Sequence, residues 1–177
     1  MTPNSATSAY SGSSGAVLLI KDSVLSHSLS NYTLDFDAKM DLLSGSGFFG
    51  SAVRGTLNYP NIVCYTFILN DDPENTVPHW QACTLSDLSG NNTGYLGGSF
   101  YGGGSSTPTY TAGTWFHFKV VCQGNNIACY IDAGSGSALV FCFSDTTNAT
   151  GGVGFSTAFL KTPNLVHFKN LVVSSCP

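Results

Sequence analysis

The chain has 177 residues, a length that suits one domain and argues against two. Apolar residues make up 42%, enough for a sizeable core, whereas charged residues are only 9%, well under the roughly one quarter usual in globular domains. With a net charge of −4 and six Lys plus Arg, the chain lacks the basic footprint that nucleic acid or an anionic membrane requires, so neutral hydrogen-bonding ligands fit better.

Thr2–Gly15 is rich in Ser, Thr and Gly and reads as a flexible N-terminal arm over residues 1–15, followed by a single domain over 16–177. Ala16–Ile20 is a short apolar strand. Tyr32–Met40 alternates, with Tyr32, Leu34, Phe36 and Ala38 on one face and Thr33, Asp35, Asp37 and Lys39 on the other. Gly47–Arg54, Ile62–Leu69, Trp80–Leu85 and Tyr95–Tyr101 follow as strands, and Gly102–Gly113 as a small-residue loop. Phe116, Phe118, Val120 and Cys122 then alternate with His117, Lys119 and Val121. After Gly124-Asn125, Ile127, Cys129 and Ile131 alternate with Ala128, Tyr130 and Asp132. Period-two alternation on either side of a Gly-Asn step predicts a hairpin, because Gly supplies the positive φ of a two-residue turn. Ala133–Ser137 turns the chain into a third strand, Ala138–Phe143, and Val153–Thr157 and Leu165–Val173 complete the series. No helical stripe of useful length and no run of ~18 apolar residues occurs, so membrane insertion is not expected. Roughly ten short strands predict an all-β, antiparallel two-sheet β-sandwich, a jelly roll.

The six cysteines, Cys64, Cys83, Cys122, Cys129, Cys142 and Cys176, form no CxxC pair. Their even number, with the sequons Asn31-Tyr-Thr, Asn91-Asn-Thr and Asn148-Ala-Thr, predicts a secreted glycoprotein with at least two disulfides. Met1–Gly12 has neither the basic nor the apolar region of a signal peptide. A two-residue turn at Gly124-Asn125 makes Cys122 and Cys129 diagonal neighbours, too distant for an easy bridge; a turn at Asn125-Asn126 sets them opposite one another. Cys64–Cys83 is a second plausible pair across neighbouring strands.

The order of motifs carries a resemblance. Tyr-Thr-Leu-x-Phe (32–36) is followed by Gly-x-Phe (47–49, read with Phe48) and Arg54. Thr-Trp-x-x-x-Lys-Val-Val (114–121), the Gly-Asn turn and Tyr-Ile-Asp (130–132) come next, then Gly-Gly-Val-Gly-Phe (151–155) and His-Phe-Lys-Asn-Leu-Val-Val (167–173). Together they resemble the concanavalin A-like lectin/glucanase superfamily in its laminin-G-like branch, and are similar to levan-type carbohydrate-binding modules and 3-keto-disaccharide hydrolase domains. The resemblance implies a concave ligand groove in which Arg54, the only arginine, donates to sugar hydroxyls. It also implies a calcium site, for which Asp71 and Asp72 are the candidates at the end of an apolar strand.

The residues themselves add to this list. Sugars stack their C–H faces on aromatic rings, so Trp80, Tyr95 and Tyr101 are candidate ligand residues, with His79 and Tyr110 nearby in sequence. Asp35 and Asp37 share a strand face about 7 Å apart. They do not reproduce the paired acids of laminarinase-like glycosidases, which must flank a glycosidic bond, and read as solvent-face aspartates. No Ser-His-Asp or metal-histidine signature emerges from His27, His79, His117 and His167. The expected function is that of a secreted, lectin-like protein or module that binds a neutral glycan and does no chemistry. The alternatives are a glycoside hydrolase or polysaccharide lyase on the same fold, and an adhesion domain with no sugar site.

Overall fold

The computed structural model describes residues 6–9, 15–20, 24–26, 28–42, 47–58, 61–71, 78–86, 100–105, 108–158 and 165–176. They form twelve strands: β1 (Ala6–Ala9), β2 (Gly15–Leu19), β3 (Tyr32–Met40), β4 (Phe48–Asn58), β5 (Asn61–Asn70), β6 (His79–Ser86), β7 (Phe100–Ser105), β8 (Phe116–Gln123), β9 (Asn126–Asp132), β10 (Ser137–Ser144), β11 (Gly152–Ala158) and β12 (Leu165–Ser175). Sheet A has the order β1-β12-β3-β8-β9-β10 and sheet B the order β2-β11-β4-β5-β6-β7. All pairings are antiparallel. The jelly roll expected from the alternating strands is therefore the observed architecture.

Sheet A keeps the alternation written in its sequence. Tyr32, Leu34, Phe36, Ala38 and Met40 of β3 are buried, and so are Phe116, Phe118, Val120 and Cys122 of β8 and Ile127, Cys129 and Ile131 of β9. Their rings interleave with those of sheet B. Phe36 stacks on Phe118 at 4.8 Å and meets Phe155 edge-on at 5.1 Å, while Phe67 and Phe49 each stand 5.8 Å from Phe118. Each such fully buried side chain stabilises the sandwich by roughly 1.5–3 kcal/mol through apolar burial. Sheet B does not alternate, because residues 48–55 of β4, 64–69 of β5 and 151–157 around β11 are buried on both faces. Small residues make that fit: a Cβ on Gly50 would stand 2.0 Å from the Phe67 carbonyl oxygen.

Several boundaries differ from the sequence reading. Ala6–Ala9, assigned to the arm, pair with β12 and extend sheet A at its edge. A bulge between Val53 and Thr56 carries β4 past Arg54 to Asn58, a continuation that an interrupted alternation conceals. β7 occupies Phe100–Ser105, so the first part of the expected loop is strand.

The cysteines need the larger correction. Cys122, Cys129, Cys142 and Cys176 are free thiols, and no disulfide is found among the described residues. Gln123 pairs with Asn126, so Gly124-Asn125 is the turn; Cys122 lies opposite Ile127, and Cys129 opposite Val120. The two thiols are diagonal, as that turn requires. Cys64 pairs with Leu85 while Cys83 pairs with Thr66, an offset of two residues that sets this second pair diagonal as well.

Candidate functional site

The strands run between two ends of the sandwich. At one end lie Tyr32, Arg54 and the β8–β9 turn; at the other lie Met40, Phe48, Asn70 and His79. The second end carries the polar groups best placed for a ligand. Phe48, Asn70 and His79 form one row across β4, β5 and β6, and Gly50, Ile68 and Gln81 form the row two residues along. Between them runs the row of Phe49, Leu69 and Trp80, which faces the core. Strand alternation thus turns Asn70, His79 and Gln81 to the opposite face of sheet B.

There the three side chains form a chain of hydrogen bonds. Asn70 Nδ2 donates to Gln81 Oε1 at 3.1 Å, and Gln81 Nε2 lies 2.7 Å from His79 Nε2. An amide nitrogen only donates, so His79 Nε2 accepts and the network assigns the ring proton to Nδ1. Among the described residues this chain leaves unused the Asn70 Oδ1 acceptor, one N–H of each amide and the His79 Nδ1–H. Asn70 and Gln81 are half-buried and His79 is buried. Asp71 follows at the same corner, nearly enclosed, with its backbone N–H donating to the Gly47 carbonyl at 2.8 Å. The arrangement offers fixed donors and acceptors without a formal charge at its centre, which suits hydroxyl groups.

The sequence candidates scatter around this corner. Asp71 belongs to it. Trp80 does not: it is fully buried between the sheets, its ring 5.6 Å from Phe118 and 5.9 Å from Phe67, and its Nε1–H donates to the Pro108 carbonyl at 2.7 Å. An indole so enclosed offers no face to a sugar. Alternation explains the correction, since Trp80 inward puts its neighbours His79 and Gln81 outward. Tyr110 is likewise buried, its hydroxyl accepting from Met40 N–H at 2.6 Å and donating to Met40 C=O at 2.9 Å. Burial pushes the Tyr110 phenol up to about 12. Asp72 and Tyr95 lie outside the described residues. The backbone of Tyr101 lies on β7, between Phe100, opposite Cys83, and Gly102, opposite Ala82.

Arg54 is at the other end and is also fully buried. Its Nη1 donates to the Asn148 carbonyl at 3.2 Å, and its Nη2 donates to the carbonyls of Ser30, at 3.3 Å, and Gly124. Its backbone N–H donates to the Tyr32 hydroxyl at 2.9 Å. The guanidinium therefore clamps three chain segments together, and its expected place in a ligand groove is replaced by a structural one. Charge inside the protein is tolerable only when donors find acceptors; these carbonyls supply them for Nη1 and Nη2, while Nε is buried with no partner among the described residues.

Neither a family model nor a curated protein sequence matches the chain. Solved structures do. The chain is similar to the carbohydrate-binding module CBM66 from Bacillus subtilis, with a TM-score of 0.65 and 17% identity over 96% of this chain and 86% of that one. It is also similar to the legume lectin-like domain from Entamoeba histolytica, with a TM-score of 0.61 and 10% identity over 96% and 82% of the two chains. The fold is the concanavalin A-like jelly roll. The exoplasmic/lumenal domain of VIP36 in its Ca2+/Man3GlcNAc-bound form shares this jelly roll, with a TM-score of 0.59 and 12% identity over 85% and 70% of the chains.

The solvent side of sheet A carries a cluster of charged residues. Asp35 and Asp37 point outward there, as expected, and grip one histidine: His117 Nδ1 lies 2.9 Å from Asp37 Oδ1 and His117 Nε2 lies 3.2 Å from Asp35 Oδ1. Asn170, at a φ of 56° in the bulge of β12, donates to Asp37 Oδ2 at 2.7 Å. Asp41 is held by His167 and Lys39, each at 2.9 Å, and the bond from His167 is the main cause that lowers its carboxyl below the ordinary value. Lys169 stands 3.9 Å over the exposed Trp115 ring. Each of these three aspartates is already engaged. Among the described residues no group of three or more His, Cys, Asp or Glu is placed to hold a metal ion. Of the two calcium candidates only Asp71 is described, and the neighbouring Asn70 amide is turned to Gln81, so the described donors do not make a calcium cage.

Proposed function

We propose that this protein is an extracellular carbohydrate-binding protein or module that recognises a neutral glycan at the Asn70–Gln81–His79 corner of sheet B. The observation that carries the reading is that chain of neutral, mutually oriented side chains on a jelly-roll fold shared with a carbohydrate-binding module and with lectins. A hydroxyl both donates and accepts, so the spare Oδ1 of Asn70 and the spare amide N–H groups meet its two requirements together. Asp71 adds a carboxylate acceptor at the rim, and Asp72 is assigned beside it. Tyr101, on the strand next to β6, and Tyr95 are assigned the stacking surface that Trp80 does not provide. Low overall charge favours an uncharged glycan over an acidic one.

The test is a glycan array with the full chain, run beside a reducing-sugar assay on the glycans it retains. Binding without release of reducing ends is expected; release would transfer the site to the hydrolase class, and no binding would leave an adhesion domain. For the retained glycan, Gln81→Ala and Asn70→Ala should each weaken affinity roughly fivefold, the equivalent of one neutral hydrogen bond of about 1 kcal/mol. An unchanged affinity in both variants sinks the corner as the binding site.

A further inference from the structure

The sequons Asn31-Tyr-Thr and Asn148-Ala-Thr lie close together at the Arg54 end, yet their amides stand in opposite surroundings. Asn31 is exposed, and its Oδ1 accepts from the Gly124 backbone N–H at 2.8 Å. That bond fixes the side chain and leaves Nδ2, the nitrogen that N-glycosylation modifies, with no partner among the described residues. Asn148 is the reverse case. Its Nδ2 is buried without a hydrogen-bond partner, its backbone N–H donates to the Tyr65 hydroxyl at 3.0 Å, and its carbonyl accepts from Arg54 Nη1. The surrounding loop is pinned as well, since Thr147 N–H donates to Asp145 Oδ1 at 2.6 Å and Tyr65 O–H donates to that same oxygen.

We infer that Asn31 is an N-glycosylation site of this protein and that Asn148, despite its sequon, is not one in the folded molecule. In the transfer, the Asn31 Nδ2–H bond is replaced by a bond from Nδ2 to the anomeric carbon of a lipid-pyrophosphate-linked oligosaccharide. The lipid pyrophosphate leaves with the bonding pair of the anomeric C–O bond, and the amide proton is released. A glycan on Asn148 Nδ2 has no room while Asn148 stays bonded to Arg54 and Tyr65, so a chain modified there does not close this end of the sandwich. The Asn31 glycan projects at the end of the jelly roll away from Asn70, Gln81 and His79. The inference rests on the extracellular placement proposed above, but not on sugar binding.

The experiment separates site geometry from cellular address by fusing a cleavable secretion leader to the full chain in a eukaryotic host. Asn91, outside the described residues, is replaced by Gln throughout. Secreted protein is treated with peptide N-glycosidase, which converts each glycosylated Asn to Asp, and the peptides are read by mass spectrometry. Conversion at Asn31 and none at Asn148 is expected. Thr33→Ala, which removes the first sequon but keeps the Asn31–Gly124 bond, should abolish the glycan shift, and Thr150→Ala should leave it unchanged. Conversion at Asn148 in secreted protein with a cooperative thermal transition overturns the inference, as does an unconverted Asn31 in the same material. A glycan-array result of either sign leaves this outcome untouched.

Discussion

Arg54 has a φ of 52° inside a strand, a conformation that costs a non-glycine residue roughly 1–2 kcal/mol. The bulge that produces it lifts the side chain out of the strand's alternation and toward the carbonyls of Ser30, Gly124 and Asn148. The backbone packs closely just before β11, where a Cβ on Gly151 would stand 2.3 Å from the Arg54 carbonyl carbon. Arg54→Ala should destabilise the protein by about 3 kcal/mol net: three hydrogen bonds to a charged group, each contributing about 1.5–3 kcal/mol, are lost together, and relief of the buried charge's desolvation offsets part of that loss. For a chain of this size that lowers the thermal midpoint by about 6–12 °C; a midpoint that does not move would refute the clamp. Asp41 gives a pH prediction. Its carboxyl is lowered below 3.8 in the folded state, first by the bond to His167 and also by Lys39. A depressed carboxyl contributes stability that is fully present above the unfolded value and is lost as pH falls through the folded one. Urea titrations should therefore show Asp41→Asn less stable than the parent near neutrality, with the gap closing below about pH 4. A gap that widens in acid would reverse the assigned sign.

The β8–β9 hairpin shows what a strand sequence states outright. Both strands alternate, Gly124 has a φ of 56° and Gln123 pairs with Asn126, so the turn sets the register and the register sets where Cys122 and Cys129 stand. Nothing lies within 4 Å of a Cβ built on Gly124, so Gly124→Ala tests backbone conformation alone and should cost about 1–2 kcal/mol. The thiols give a chemical readout of the same register. Burial raises Cys122 to about 11 and pushes Cys129 well up, whereas Cys142 is exposed. A disulfide-exchange reagent near neutral pH should label Cys142 at once, and Cys122 and Cys129 only on unfolding, since the thiolate is the reacting form. Rapid labelling of Cys129 in the native protein would place it elsewhere. Sheet B was harder to read, for a physical reason. With both faces buried, Gly50, Ala52, Gly154 and Ser156 are selected by how closely backbones approach rather than by a face, and the period-two signal vanishes. The candidate site was opaque on the same strands: Asn70, His79 and Gln81 follow no catalytic spacing, and Trp80 drew attention to the inward side of β6. The His79-Trp80 step lies at the corner proposed here, where alternation turns the histidine outward and the indole into the core.

Across the whole molecule the work is divided between the two ends. One end is closed by a buried cation and a pinned loop; the other carries unspent hydrogen-bonding groups beside Asp71. The strand order adds a consequence for how the chain acquires its structure. Strand β3, in the middle of sheet A, takes β12 as one neighbour, and β2 and β4 in sheet B both wait for β11. Early segments therefore cannot bury their apolar faces until the last quarter of the chain has arrived, and each of these pairings must close a loop of many residues. Such non-local pairing slows folding, because loop-closure entropy is lost before contacts compensate for it. During synthesis Phe36 would stay without Phe155 and Phe168, two of its ring partners, until the final strands leave the ribosome. The nascent chain thus stays exposed to chaperones until β11 and β12 have emerged, and a ribosome stalled after Ala158 should hold a chain that proteases cut freely, while emergence of β12 should abruptly end that sensitivity.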